Sequence, residues 1–305
     1  MKTINLDVLC LGHACYDLVF AVERHPADDE KMVASEFTSC GGGPAANAAV
    51  TAAVLGYKAG FAGYLGRDIF GQKHLEEFES YGVSTGLIVR GSSPTPLSTV
   101  WVKPDGKRAL VNYRGETNPL PGNRIDFKRV NPGAILFDGH QPELSVPLAE
   151  WAIQNNIPTV LDAGSVHRGT RQLVSLVDYL VASEKFARDF TATADEDSAL
   201  TILSQKAPCV VITLGPRGLI WKNHNGQGDI PAFPIDAVDT TGAGDAFHGA
   251  FTAAIASGKS WLEVLHYAGA VGALCCTAQG ARLGIPSRTQ VENFLKTDHL
   301  PVSCR

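Results

Sequence analysis

Short, almost uninterrupted apolar runs recur along the chain and alternate with segments whose apolar residues return at helical spacing. The runs Val8–Gly12, Tyr57–Gly63, Ala134–Asp138, Pro158–Asp162, Tyr179–Ser183 and Cys209–Leu214 predict strands buried on both faces. Between several of them, Pro44–Leu55, Ile69–Tyr81, Val146–Gln154 and Ala194–Ser204 predict helices. Buried strands separated by helices imply a mostly parallel sheet with helices on both faces, a three-layer α/β/α architecture. Two further helices, Gly244–Ser257 and Trp261–Thr277, fill the last third.

Two regions break this alternation. Leu18–Thr38 and Ser98–Tyr113 read as strands with polar interruptions. The second contains a hairpin, Val100–Val102 and Ala109–Val111 around Asp105-Gly106. Extended pieces outside a parallel core predict a small β-sheet lid within one domain spanning 1–305. Their exposed edges invite pairing, so a two-fold homodimer joined through the lids is expected. Gly215–Gly218 predicts a turn, with Leu219–Lys222 as the returning strand.

Composition narrows the function classes. The chain has 305 residues, 45% hydrophobic, with a net charge of −5, so disorder is excluded. The balance of 26 basic against 31 acidic residues argues against a dedicated nucleic-acid or anionic-membrane binder. No apolar stretch reaches the ~18 residues of a membrane span. The apolar start, Val8–Cys15, is broken by His13, lacks a basic leader and reads as the first strand. The 7 cysteines form no CxxC pair and no zinc spacing, which fits free thiols in the cytoplasm.

The sharpest chemistry lies in Asp239-Thr240-Thr241-Gly242-Ala243-Gly244-Asp245-Ala246-Phe247, a glycine-bearing loop opening a helix of small residues. Glycines let backbone N–H groups converge, and the helix terminus adds partial positive charge, which together suit a phosphate. Asp245 beside that cradle makes sense as the acceptor of a proton from a hydroxyl attacking the phosphate. An ordinary helix cap with an acidic first turn, worth about 1 kcal/mol, explains the residues equally well. The second motif, Gly41-Gly42-Gly43-Pro44-Ala45-Ala46-Asn47, allows close backbone approach, and Asn47 can both donate and accept toward a sugar hydroxyl. Its loose dinucleotide-binding spacing lacks the acidic residue that such a site needs. Gly258-Lys259-Ser260 imitates the end of a phosphate-binding loop, but a helix end and a capping box explain it fully.

Taken in this order, Gly12 with Asp17, Gly41–Asn47 with Gly56, Thr213–Gly218 and Asp239–Phe247 resemble the ribokinase, or PfkB, family of carbohydrate kinases over nearly the whole chain. The resemblance implies ATP-dependent transfer of a phosphoryl group to a primary hydroxyl of a small sugar. It implies Asp245 as catalytic base and the amides of Gly242, Ala243 and Gly244 as an anion hole. It places Asp17, Gly42, Gly43 and Asn47 at the sugar, and Thr213, Gly215 and Gly218 along ATP together with the Gly242 and Gly244 loop. Asp239, Thr241, Ala278 and Gly280 match the loop that holds a monovalent cation, K+, in many members. Mg2+ is the expected companion of ATP. The Asn-x-x-Glu motif that orders its waters is replaced here by Ser183-Glu184-Lys185-Phe186, where Glu184 reads as a solvated loop charge.

Short segments, including Arg282-Leu283-Gly284-Ile285-Pro286, are most similar to the ketohexokinase and sulfofructose kinase-like branch, which implies a ketose acceptor. In that branch Lys31 and Asn112 match positions that grip a sulfonate, with an Arg where this chain has His140. Histidine offers a weaker anion grip than arginine. Two alternatives stay open. One is a nucleoside kinase of the same fold, with Trp101 and Tyr113 stacking on a base. The other is a non-catalytic sugar-binding protein, which would not need a carboxylate beside the cradle.

Overall fold

The computed structural model describes residues 3–104, 107–297 and 303–304. Its strands are β1 (Ile4–Leu11), β2 (Cys15–Ala21), β3 (Glu36–Gly42), β4 (Ala59–Gly66), β5 (Ser84–Gly91), β6 (Leu97–Val102) and β7 (Arg108–Tyr113). Then follow β8 (Val130–Phe137), β9 (Thr159–Ala163), β10 (Tyr179–Ser183), β11 (Cys209–Thr213), β12 (Leu219–Asn223), β13 (Gly226–Ile230) and β14 (Ser303–Cys304). The helices are α1 (Pro44–Val54), α2 (Ile69–Ser80), α3 (Pro142–Gln154), α4 (Arg168–Leu173) and α5 (Glu184–Thr191). They continue with α6 (Glu196–Leu203), α7 (Ala243–Ala256), α8 (Trp261–Cys275) and α9 (Arg288–Thr297).

Ten strands form one sheet in the order β14-β13-β12-β11-β10-β9-β8-β1-β4-β5. Pairing is parallel from β11 through β5 and antiparallel from β11 outward to β14. Strand alternation explains the continuous apolar runs. Leu9, Leu11, Ile135, Phe137, Leu161, Leu180 and Ile212 pack on one face with Leu144, Leu148, Leu173, Phe186 and Leu200. Their neighbours Val8, Cys10, Val160, Val181 and Val211 face the other way, toward α1, α7 and α8. The three-layer architecture is therefore present as expected.

The lid is a separate four-stranded sheet, β3-β2-β6-β7. Its β6–β7 hairpin pairs Val102 with Arg108. The Asp105-Gly106 turn lies outside the described residues.

Several boundaries differ from the sequence reading. The strand expected at Tyr57–Gly63 begins at Ala59 and runs to Gly66, with all eight residues buried. Helix α3 starts four residues before Val146, because Pro142 sits in its first turn, where a missing N–H costs nothing. Strand β5 has no counterpart in the sequence pattern; its apolar residues are only the short run Leu87–Val89, flanked by Gly86 and by Arg90-Gly91, and it lies at the sheet edge. Ser183 opens α5 by accepting from the Phe186 N–H at 3.0 Å, so Glu184 is a first-turn helical residue rather than a loop charge. The capping box at Ser260 is present, with Glu263 accepting from the Ser260 N–H at 2.9 Å.

Candidate active site

The sheet reverses its winding between β1 and β8, and ligands of such sheets bind beyond the carboxyl ends of the strands at that point. Gly12 and His13 follow β1 there, and Asp138 follows β8. The buried Asp138 carboxylate accepts from the N–H groups of His13 (2.7 Å), His140 (2.9 Å) and Ala45 (3.3 Å). Burial pushes this carboxyl up, but the charge and bonds of His140 and the His13 N–H outweigh it and hold the group at about 2. A side chain at Gly12 would stand 2.1 Å from this carboxylate, which accounts for the glycine. Asp138 thus ties the ends of β1 and β8 to the start of α1.

Helix α7 packs across β1, β8 and β9 with its N-terminus at this crevice. Gly242 caps it in the left-handed region (φ +77°), which β-carbon-bearing residues avoid. The first N–H groups of any α-helix lack partners within the helix, so Gly242 and Gly244 offer donors to an anion, while the Ala243 N–H reaches the Thr240 carbonyl over a long 3.4 Å. Asp245 lies in this turn, half-buried, and accepts from Asn47 Nδ2 at 2.8 Å. Burial pushes its carboxyl up to about 7, the negative charge of Asp162 adds to the rise, and the Asn47 bond opposes it. A carboxylate titrating there is poised to accept a proton near neutral pH. His248, one turn on, is packed: Nδ1 faces the Gly244 carbonyl at 2.6 Å and Nε2 the Val181 carbonyl at 3.2 Å.

Asn47 is buried on α1, and Gly43 caps that helix at φ +102°, where a side chain would meet the His13 carbonyl at 2.5 Å. Gly42 ends β3 opposite Cys15 and leaves room for the Asp17 carboxylate, 2.2 Å from where a β-carbon would sit. Asp17 lies inside β2 rather than in a turn. In register, Cys40, Asp17, Ser98 and Asn112 form one row across the inner face of the lid, and Ser98 Oγ donates to Asn112 Oδ1 at 2.8 Å. Burial raises the Asp17 carboxyl. Lys31 is exposed in the segment 22–35 between β2 and β3, outside this row.

The same alternation places Trp101 and Tyr113 on the opposite, outer face of the lid. The base-stacking role considered for them therefore loses its geometry. Leu18, Phe20 and Phe37 share that outer face, and Phe37, Val111 and Tyr113 are exposed.

In the nucleotide region, Thr213 ends β11, and Gly215–Arg217 is a single 3-10 turn. A side chain at Gly215 would meet open space, whereas one at Gly218 would stand 2.0 Å from the Ile230 carbonyl. Packing against β13 thus explains Gly218 by itself. Asp239 Oδ1 accepts from Thr241 N and Oγ1 (2.8 and 2.7 Å), and Oδ2 accepts from Gly280 N (2.9 Å). Both oxygens are engaged: Oδ1 orders the loop before Asp245, and Oδ2 ties Gly280 onto it. Among the described residues no group of three or more His, Cys, Asp or Glu could hold a metal ion. The Ser183–Phe186 stretch does not fit Mg2+ either. Phe186 is fully buried, and Glu184 pairs with Arg217 at 2.9 Å.

Sequence reasoning missed four contributors. Asp138 and Asp162 end parallel strands at the crevice, a position that carries the signal. Arg108 Nη1, on the inner face of the lid, donates to Thr241 Oγ1 at 2.8 Å, linking the lid to the loop before Asp245. Arg282 is buried behind Asn47.

Comparison with known proteins identifies the family. The model of the pfkB family carbohydrate kinases matches residues 5–288. Ribokinase of Bacillus subtilis is 27% identical over 295 residues, covering 95% of this chain and 99% of that protein. The Arabidopsis thaliana protein named "Probable fructokinase-4" is 27% identical over 300 residues, 85% of this chain and 89% of that protein. The structure of Arabidopsis thaliana ribokinase complexed with ribose and ATP superposes with a TM-score of 0.85 at 27% identity, covering 97% and 99% of the two chains. The chain belongs to the pfkB family of carbohydrate kinases and is an ATP-dependent sugar kinase.

Proposed function

We propose that this kinase phosphorylates a primary hydroxyl of a small ketose, with Asp245 as the base. The observation that carries the reading is the Asp245 carboxylate in the first turn of α7, next to the left-handed Gly242 cap and accepting from Asn47 Nδ2 at 2.8 Å, with burial pushing its carboxyl up to about 7. Asp245 accepts the hydroxyl proton as the sugar oxygen bonds to the γ-phosphorus, the bond to the β-phosphate oxygen breaks, and ADP leaves. The amides of Gly242, Ala243 and Gly244 face the transferring group and take up its charge. Asp17, Gly42, Gly43, Asn47 and Asn112 line the sugar, and Thr213, Gly215 and Gly218 lie along ATP. Mg2+ accompanies ATP, and the roles given to Asp245 and its loop do not depend on a protein ligand for it. K+ is assigned to the loop tied by Asp239, Thr241, Ala278 and Gly280.

A ketose is favoured by the segment similarities around Gly41 and Arg282 and by the fructokinase match; ribose is the second reading, favoured by the ribokinase matches. Coupled ADP release with fructose, fructose 6-phosphate, sulfofructose, ribose and a nucleoside separates them. The highest kcat/KM is expected with a ketose, and a ribose preference would reverse the assignment. If Lys31 reads an anionic acceptor, Lys31→Ala loses that selectivity by about tenfold or more, whereas an unchanged ranking removes Lys31 from the site.

The apolar outer face of the lid supports a homodimer in which two lids pack face to face, in the cytoplasm. Light scattering at micromolar concentration is expected to give twice the chain mass, and Val111→Glu to give the monomer. A monomeric wild type would exclude it.

A further inference from the structure

Arg282 is a buried cation in the segment after α8, far in sequence from everything it touches. Its Nε donates to Asn47 Oδ1 at 3.0 Å, its Nη2 to His74 Nε2 at 2.7 Å, and its Nη1 lies 3.1 Å from Glu77 Oε2. The guanidinium sits 5.3 Å from the Phe78 ring. Glu77 also accepts from the Gly41 N–H at 2.6 Å, and a side chain at Gly41 would stand 2.3 Å from Arg282 Nη1. The first glycine motif and α2 are thus built around this one side chain.

A guanidinium can only donate. The amide oxygen of Asn47 must therefore face Arg282, and its NH2 must face Asp245, where it donates at 2.8 Å. Turning the amide over would set donor against donor at Arg282 and acceptor against acceptor at Asp245. We propose that Arg282 is a positioning residue for the catalytic base: it holds Asn47 in the one amide orientation that donates to Asp245, keeping that carboxylate aimed and able to accept a proton. The proposal rests on Asp245 being the base.

Burial and Asp162 favour the protonated acid, whereas Asn47 and His248 favour the carboxylate. Asp17 also faces Asp245, and Cys275 on α8 feels its charge. Glu77, His74 and Asp17 face Arg282. Burial and the Arg282 charge hold His74 well below the usual histidine value, so its Nε2 is free to accept. Losing the locked donor leaves the forces that favour protonation less opposed.

The test uses Arg282→Met paired with Glu77→Gln, so that Glu77 is not left as a carboxylate without its ion-pair partner. The acid limb of kcat is expected to move up by about one pH unit, and plateau kcat to fall by about tenfold, with KM for ATP unchanged. In an Asn47→Ala background the same pair of changes should add almost nothing, because the effect travels through that amide. An unmoved limb, or losses that multiply in full, overturns the proposal, since a purely structural role would give these. A second measurement needs no variant at position 282. The Asn47 side-chain NH2 signals of the wild type, assigned by their loss in Asn47→Ala, should titrate with Asp245 and stop doing so in Asp245→Asn. Signals that ignore Asp245 overturn the proposed orientation. If Asp245→Asn keeps wild-type turnover, the base assignment fails, while the amide titration, repeated in the Arg282→Met, Glu77→Gln protein, still reports whether Arg282 sets the orientation.

Discussion

Asp245→Asn is expected to fold and to bind ATP normally but to turn over at least ~10²-fold more slowly than wild type. The amide keeps the shape and the contact with Asn47 and removes only the proton acceptor. Loss confined to kcat is what separates this from a binding defect. The same substitution carries a stability signature of definite sign. The Asp245 carboxyl rises from an ordinary value of 3.8 to about 7 on folding, so its ionised form opposes folding. That penalty is absent below about pH 4, grows between about 4 and about 7, and is complete above. Thermal melts should therefore show Asp245→Asn more stable than wild type at pH 8, with the two converging near pH 4. The difference should reach a few kcal/mol at most, since a tenfold change in proton affinity is worth about 1.4 kcal/mol. Near-normal turnover in Asp245→Asn would remove the base assignment.

Gly244→Val should lose activity by ~10²-fold or more while melting close to wild type. A β-carbon at Gly244 meets nothing within 4 Å and φ there is not positive. The substitution therefore leaves the backbone in place and fills the space proposed for the phosphoryl group. Gly242 behaves oppositely. At φ +77°, with Ala281 Cβ 2.6 Å from an added β-carbon, Gly242→Ala strains the helix cap and should cost about 1–2 kcal/mol of stability as well as activity. The contrast between the two glycines is the informative result. A Gly244→Val protein that melts normally and works normally would contradict the anion-hole role.

Most of the architecture was legible because both-faces-buried strands leave uninterrupted apolar runs, as Tyr179–Ser183 and Cys209–Thr213 do. The lid was legible for the opposite reason, since polar positions such as Ser98 and Asn112 break the apolar runs; Asp17, read as lying before the lid, is inside β2. Strand β5 and the start of α3 were not, because glycines and Pro142 hide the period. In the site, Asp245 and its turn stand out, since glycine, helix start and carboxylate are adjacent in sequence. Asp138, Asp162 and Arg282 do not, because their roles come from contacts across long stretches of chain. The Asp138 bond to the His13 N–H spans 125 residues, and the Arg282 bond to Asn47 spans 235. The outward direction of Trp101 and Tyr113 depends on register, which a one-residue slip would invert. No property of the two residues alone fixes it.

The pH dependence of kcat for ADP formation, at saturating ATP and with the best acceptor of the sugar panel, tests the central claim most directly. With Asp245 as base, kcat should fall about tenfold per pH unit below about 7 and level off above it, because only the ionised carboxylate accepts the proton. A kcat that stays flat from pH 8 down to pH 5 would contradict the account.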